Sequence, residues 1–243
     1  MTRGPFNGRC MLAFVLAASF VAGTIMPAQA QTVSPVIAQY VQQARGELSV
    51  ENPTSDPLPV SLSVRGFTVD SLGTVHFGDV PEGTNVELAW RSFTLPPMSR
   101  TVVPYRVRAE SAPAWVVIEA AFLPPRTGSV QTRIVLPHVV YVRQREPLSR
   151  SELSVTMLPN AGGEWRIRMA NLGGSLDRLS SASWRAPDGG LIAELSHAAP
   201  ILPHGVRYLS VGAAPSGARS LRIEGAFGSM DIPLPDVLSG IPR

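Results

Sequence analysis

The chain has 243 residues, 21 basic and 18 acidic, for a formal charge of +3, and it contains one cysteine. Every basic residue is arginine, and the arginines form no block, which excludes the electrostatic footprint of a nucleic-acid binder. Glycine (21) and proline (23) are frequent, a composition suited to many short strands joined by turns.

Arg3 and Arg9 precede an uncharged apolar run, Met11–Met26, and Ala28-Gln29-Ala30 is an A-x-A cleavage site. This is the pattern of a secretory signal peptide over residues 1–30. The run falls short of the about 20 residues of a bilayer span, so no membrane insertion is expected after cleavage. Cys10 leaves with it. Removing Arg3 and Arg9 takes 21 basic residues to 19 against 18 acidic, a formal +1. A mature chain without cysteine has no disulfide, thiol nucleophile or Cys-ligated metal. Secreted without disulfides, it must rely on a large apolar core.

Val36–Gln43 reads as a first strand of mixed pattern. Glu47–Glu51 alternates, with Leu48 and Val50 inward. Asn52–Pro57 is a dense turn signal, and Pro59–Arg65 alternates again; these pieces read as an antiparallel hairpin. Thr68–Ala89 holds shorter strands broken by Gly73, Gly78 and Gly83. Thr101–Arg108 and Trp115–Phe122 are further strands. About seven strands in a hundred residues is a sandwich count.

Ser129–Arg143 is the longest β-rich stretch. Val130, Thr132, Ile134, Leu136, His138, Val140 and Val142 share one face; Arg133, Val135, Pro137, Val139, Tyr141 and Arg143 share the other. Apolar on both sides, it reads either as a central strand or as an edge strand that gives one face to another protein.

The second half echoes the first. Glu47–Asn52 is echoed by Trp165–Asn171, Leu95–Arg100 by Leu202–Arg207, and Val117–Phe122 by Arg222–Phe227. The repeats imply an all-β chain of two immunoglobulin-like sandwiches in tandem. The domains are set at 31–146 and 147–243, with the boundary in the charged stretch Gln144–Ser151.

Catalytic patterns are missing. His76, His138, His197 and His204 fall in no metal-binding spacing, and there is neither a nucleophile elbow nor a phosphate loop. No enzyme activity and no cofactor are implied. Trp115, Trp165 and Trp184 read as core residues.

The residues E-L-S-V-E-N-P-x-x-D-P-L-P-V-S-L-S-V, S-F-T-L-P-P-M-S-R-T-V and V-x-T-R-I-V-L-P-H-V-V-Y-V, after a signal peptide, resemble the PapD-like periplasmic chaperones of pilus assembly. The resemblance spans about Val33–Pro235. It implies a periplasmic protein that binds pilus or fimbrial subunits by donor-strand complementation and delivers them to an outer-membrane usher. It assigns Val130, Ile134 and Leu136 as donor side chains. It also implies a basic carboxylate anchor, for which Arg133, His138 and Arg143 are the candidates. The family's lysine position falls on His138, and its first-strand arginine has no equivalent in Val36–Gln43. A homodimer that caps the exposed strand is a further expectation. The alternative is a two-domain structural or adhesive cell-surface module.

Overall fold

The computed structural model describes residues 30–123, 132–195 and 199–235. The signal segment, Val130 and His197 lie outside them. The strands are β1 (Thr32–Ser34), β2 (Ile37–Val41), β3 (Gln43–Asn52), β4 (Leu58–Val69), β5 (Val75–Gly78), β6 (Thr84–Leu88), β7 (Ser92–Leu95), β8 (Ser99–Ala109), β9 (Ala114–Phe122) and β10 (Ile134–Arg143). After these come β11 (Leu153–Pro159), β12 (Glu164–Asn171), β13 (Asp177–Arg185), β14 (Leu191–Leu195), β15 (Ala199–Ile201), β16 (Val206–Ala213), β17 (Ser220–Gly225) and β18 (Gly228–Pro233).

The first ten strands form two sheets. One runs β1-β3-β8-β6; the other runs β2-β10-β9-β4-β5, with β7 also on β4. Period-two alternation explains their packing. Ala44, Leu48 and Val50 of β3 meet Val116, Ile118 and Phe122 of β9 across a core in which all six are fully buried. The strands from β11 onward form a second pair of sheets, β11-β12-β16 and β14-β13-β17-β18, with β15 on β13. Trp184, Ile167 and Ile223 centre their core. The chain is therefore all-β, two immunoglobulin-like sandwiches in tandem.

Two local expectations are corrected. The first strand is split: β1 pairs with β3 in one sheet, and β2 pairs with β10 in the other. The chain changes layers at Pro35-Val36, which lie between the two strands. The hairpin is not formed either. β3 pairs with β8 while β4 pairs with β9, in opposite sheets, so Asn52–Pro57 is a crossover between layers.

The halves meet through an apolar cluster of Phe67, Val117 and Tyr141 with Leu176 and Leu202. The Gln144 side chain bonds both backbone groups of Leu176, donating from Nε2 to its carbonyl (3.1 Å) and accepting its N–H (3.0 Å). The turn between β4 and β5 docks on β16. Arg207 donates to the Asp70 carbonyl (2.9 Å), and the Tyr208 N–H to that of Ser71 (2.7 Å).

Candidate functional site: the half-open edge of β10

Antiparallel to β9, β10 is paired along Ile134–Val142. On its other side β2 covers only Val139–Arg143, in parallel. Ile134–His138 has no strand on that side among the described residues. The stretch that read as either central or edge is both in turn.

Two bonds fix how its backbone is aimed. The Val139 N–H donates to the Val36 carbonyl (2.8 Å), and the Arg143 carbonyl accepts from Gln42 (2.7 Å). Backbone groups of a strand alternate in direction, so odd residues of β10 point toward the β2 side and even residues toward β9. The open edge thus presents the N–H and C=O of Val135 and the C=O of Pro137. Pro137 lacks an N–H only where no home bond would use it, the position at which a sheet tolerates proline.

Ile134 and Leu136 are half-buried and lean on the first core, while Val140 and Val142 are wholly inside it. Thr132 is exposed just before the strand. Val130, the third expected donor, lies outside the described residues. On the outer face Val135 is 41% exposed.

His138 closes the open segment. Its ring is fully buried. Nδ1 contacts the Pro35 carbonyl and Nε2 lies 2.9 Å from the Tyr105 hydroxyl, which is 3.0 Å from that of Tyr40. A carbonyl only accepts, so Nδ1 carries the proton and Nε2 accepts from Tyr105, whose oxygen accepts from Tyr40. Burial pushes the His138 pKa down, and the Pro35 contact pulls it partly back. Burial likewise pushes the Tyr105 hydroxyl up. Gly46 of β3 faces this cluster: a Cβ there would overlap the Tyr40 hydroxyl and lie 2.6 Å from that of Tyr105.

The expected carboxylate anchor is not assembled from its three candidates. His138 is sealed in the core with both nitrogens engaged. Arg133 and Arg143 stand ten residues apart on an extended chain, roughly 33 Å at about 3.3 Å per residue. Arg133 is exposed and Arg143 half-buried, with a buried Nε that has no partner among the described residues. Burial pushes the Tyr141 hydroxyl up, and Arg178 and Arg207, two arginines outside the expected anchor, pull it partly back. Asp70, beneath Arg207, is held down at about 2, chiefly by the Thr74 N–H. Among the described residues no His/Cys/Asp/Glu group is arranged to hold a metal ion.

No family model matches the chain, and no curated protein matches it in sequence. Solved structures do overlay on it. The class 5 fimbriae chaperone CfaA superposes with a TM-score of 0.52 at 9% identity, over 84% of this chain and 100% of its own. A chain from the Salmonella enterica complex of the SafA pilin with the SafB chaperone gives 0.50 at 16% identity, over 86% and 98%. What these structures share with the chain is the tandem pair of sandwiches. At these identities the likeness is one of fold.

Proposed function

We propose that this chain is a periplasmic chaperone that binds pilus or fimbrial subunits by donor-strand complementation and passes them to an outer-membrane usher. The half-open edge of β10 is the observation that supports it. A subunit strand adding to Ile134–His138 bonds to Val135 and Pro137, and Ile134 and Leu136, with Val130 before them, fill the subunit's groove. Strand addition suits a client whose own sandwich lacks a strand and would otherwise aggregate. In this reading Arg143, at the inner end of the strand, is the remaining candidate for a carboxylate contact, and Arg133 sits too far out to share it.

Co-expression with neighbouring secreted genes, followed by purification from the periplasm, tests the reading. A small β-rich subunit should co-purify one-to-one and aggregate when the chain is absent. Ile134→Asp and Leu136→Asp should each abolish its recovery. Unchanged recovery in both variants would sink the proposal.

A further inference from the structure

The apolar contact between the halves does not end at Leu176 and Leu202. It continues along the outer face of the β10-β9-β4-β5 sheet as a groove of about 230 Å³, lined among others by Val75, Phe77, Val117, Pro137, Val139 and Arg207. Every residue of β5 is exposed, with Val75 at 44% and Phe77 at 46%. The Arg65 guanidinium sits 4.9 Å from the Phe77 ring centre. An exposed apolar patch on an edge strand marks a surface that another chain covers. The volume is below the about 300–1,000 Å³ of small-molecule pockets, and suits a protruding side chain.

Arg207 supplies the groove's charge. One of its terminal nitrogens donates to the Asp70 carbonyl, but its Nε is buried with no acceptor among the described residues. Desolvation lowers its pKa, and a buried donor of this kind calls for an acceptor from whatever fills the space.

We propose that this groove receives a bulky apolar side chain of the same subunit that pairs with β10, with a backbone carbonyl of that subunit accepting from Arg207 Nε. The inference rests on the reading of β10 as the subunit-pairing strand. Pro137 belongs to both the open edge and the groove, so the two surfaces are continuous. A strand added to β10 lies about 4.8 Å beyond it and sends alternate side chains to opposite faces. Every second subunit side chain then falls beside Val135 and Pro137, on the groove's side. The strand this edge selects is apolar on both faces, not amphipathic.

The co-purified subunit is the probe. Denatured in urea, it is diluted into the full chain, and the chain concentration that keeps half of it soluble is measured. The Val75→Ser/Phe77→Ser double variant should raise that concentration about tenfold, the scale of one hot-spot contact. Arg207→Met should raise it severalfold. Leu191→Ser, a change at a still more exposed apolar residue on β14, should leave it unchanged. Val75→Glu on the same exposed strand is the second probe should the double variant melt early. Normal rescue by the Val75, Phe77 and Arg207 variants, with rescue lost in Ile134→Asp, overturns the groove and leaves the strand reading intact. Rescue that survives Ile134→Asp overturns the strand reading itself.

Discussion

Asn52 and Asn171 do the same work in the two halves. The Asn52 amide donates to the Asp56 carbonyl four residues on (2.8 Å) and to Pro96 (3.0 Å), and its oxygen accepts the Thr54 N–H (3.1 Å). The Asn171 amide donates to Ser175, four residues on (2.7 Å), and to Leu202 (3.1 Å), and its oxygen accepts the Gly173 N–H (3.0 Å). Each ties the end of a strand to a loop that crosses layers, and both are almost fully buried. Replacing either by Ala removes the donor to two backbone carbonyls and the acceptor of an N–H. Asn52→Ala and Asn171→Ala should each lose about 2–4 kcal/mol, from the cost of unmet buried polar groups. Urea unfolding followed by tryptophan fluorescence checks this; a loss below about 1 kcal/mol, the net worth of one ordinary hydrogen bond, contradicts it.

Gly46 is the point at which the Tyr40–Tyr105–His138 chain has room to form. Gly46→Ala should displace the two hydroxyls and cost about 1–3 kcal/mol, the usual range for overpacking. Tyr105→Phe removes the donor to His138 Nε2 without adding bulk, so the two changes together should cost less than their sum. A double-mutant cycle in urea measures that coupling, and strict additivity would refute it.

His138 makes stability depend on pH. Its folded pKa lies below the ordinary 6.5. Between those two values the unfolded chain binds more protons, so stability rises with pH. The neutral ring's contribution is whole above about 6.5 and drains away as pH falls toward the folded value. The urea midpoint should therefore drop as pH falls below about 6.5, and His138→Gln should flatten that slope even if its midpoint is lower. An equal slope in both proteins would place the titration elsewhere.

The two ends of β10 should respond differently to substitution. Val140 is wholly buried, and Val140→Ser should cost about 3 kcal/mol through a cavity and a hydroxyl without a certain partner. Ile134→Ser and Leu136→Ser, at the half-buried open end, should each cost about 1 kcal/mol, because less surface leaves water there. Thermal melts of the three variants decide it.

Alternation along Glu47–Glu51 and Pro59–Arg65 was enough to read strands, because side-chain parity is a local property, and the echoes in the second half were enough to read two sandwiches. Sheet membership is not. Asn52–Pro57 announces a turn but does not say that β4 will pair with β9 while β3 pairs with β8; those partners lie 47 to 65 residues away. The half-open edge was hidden for the same reason, since it depends on where β2 begins beside Val139. The burial of His138 was visible in part: it shares a face with Val140 and Val142. Its position in the resemblance made it an anchor candidate, and its 0% exposure removes it from any surface that could offer one. Arg207 read only as an echo of Arg100, because its partner Asp70 is 137 residues distant.

The proline on the open edge also governs what the free protein does at high concentration. A bare strand edge is a mould, and identical chains can stack on it one after another until they form a fibre. Such stacking needs an unbroken run of donors. Pro137 removes one of the two donors that Ile134–His138 would otherwise present, so a stacked copy would lose a bond at every layer. The open edge is thereby a poorer seed for a precipitate of its own chain.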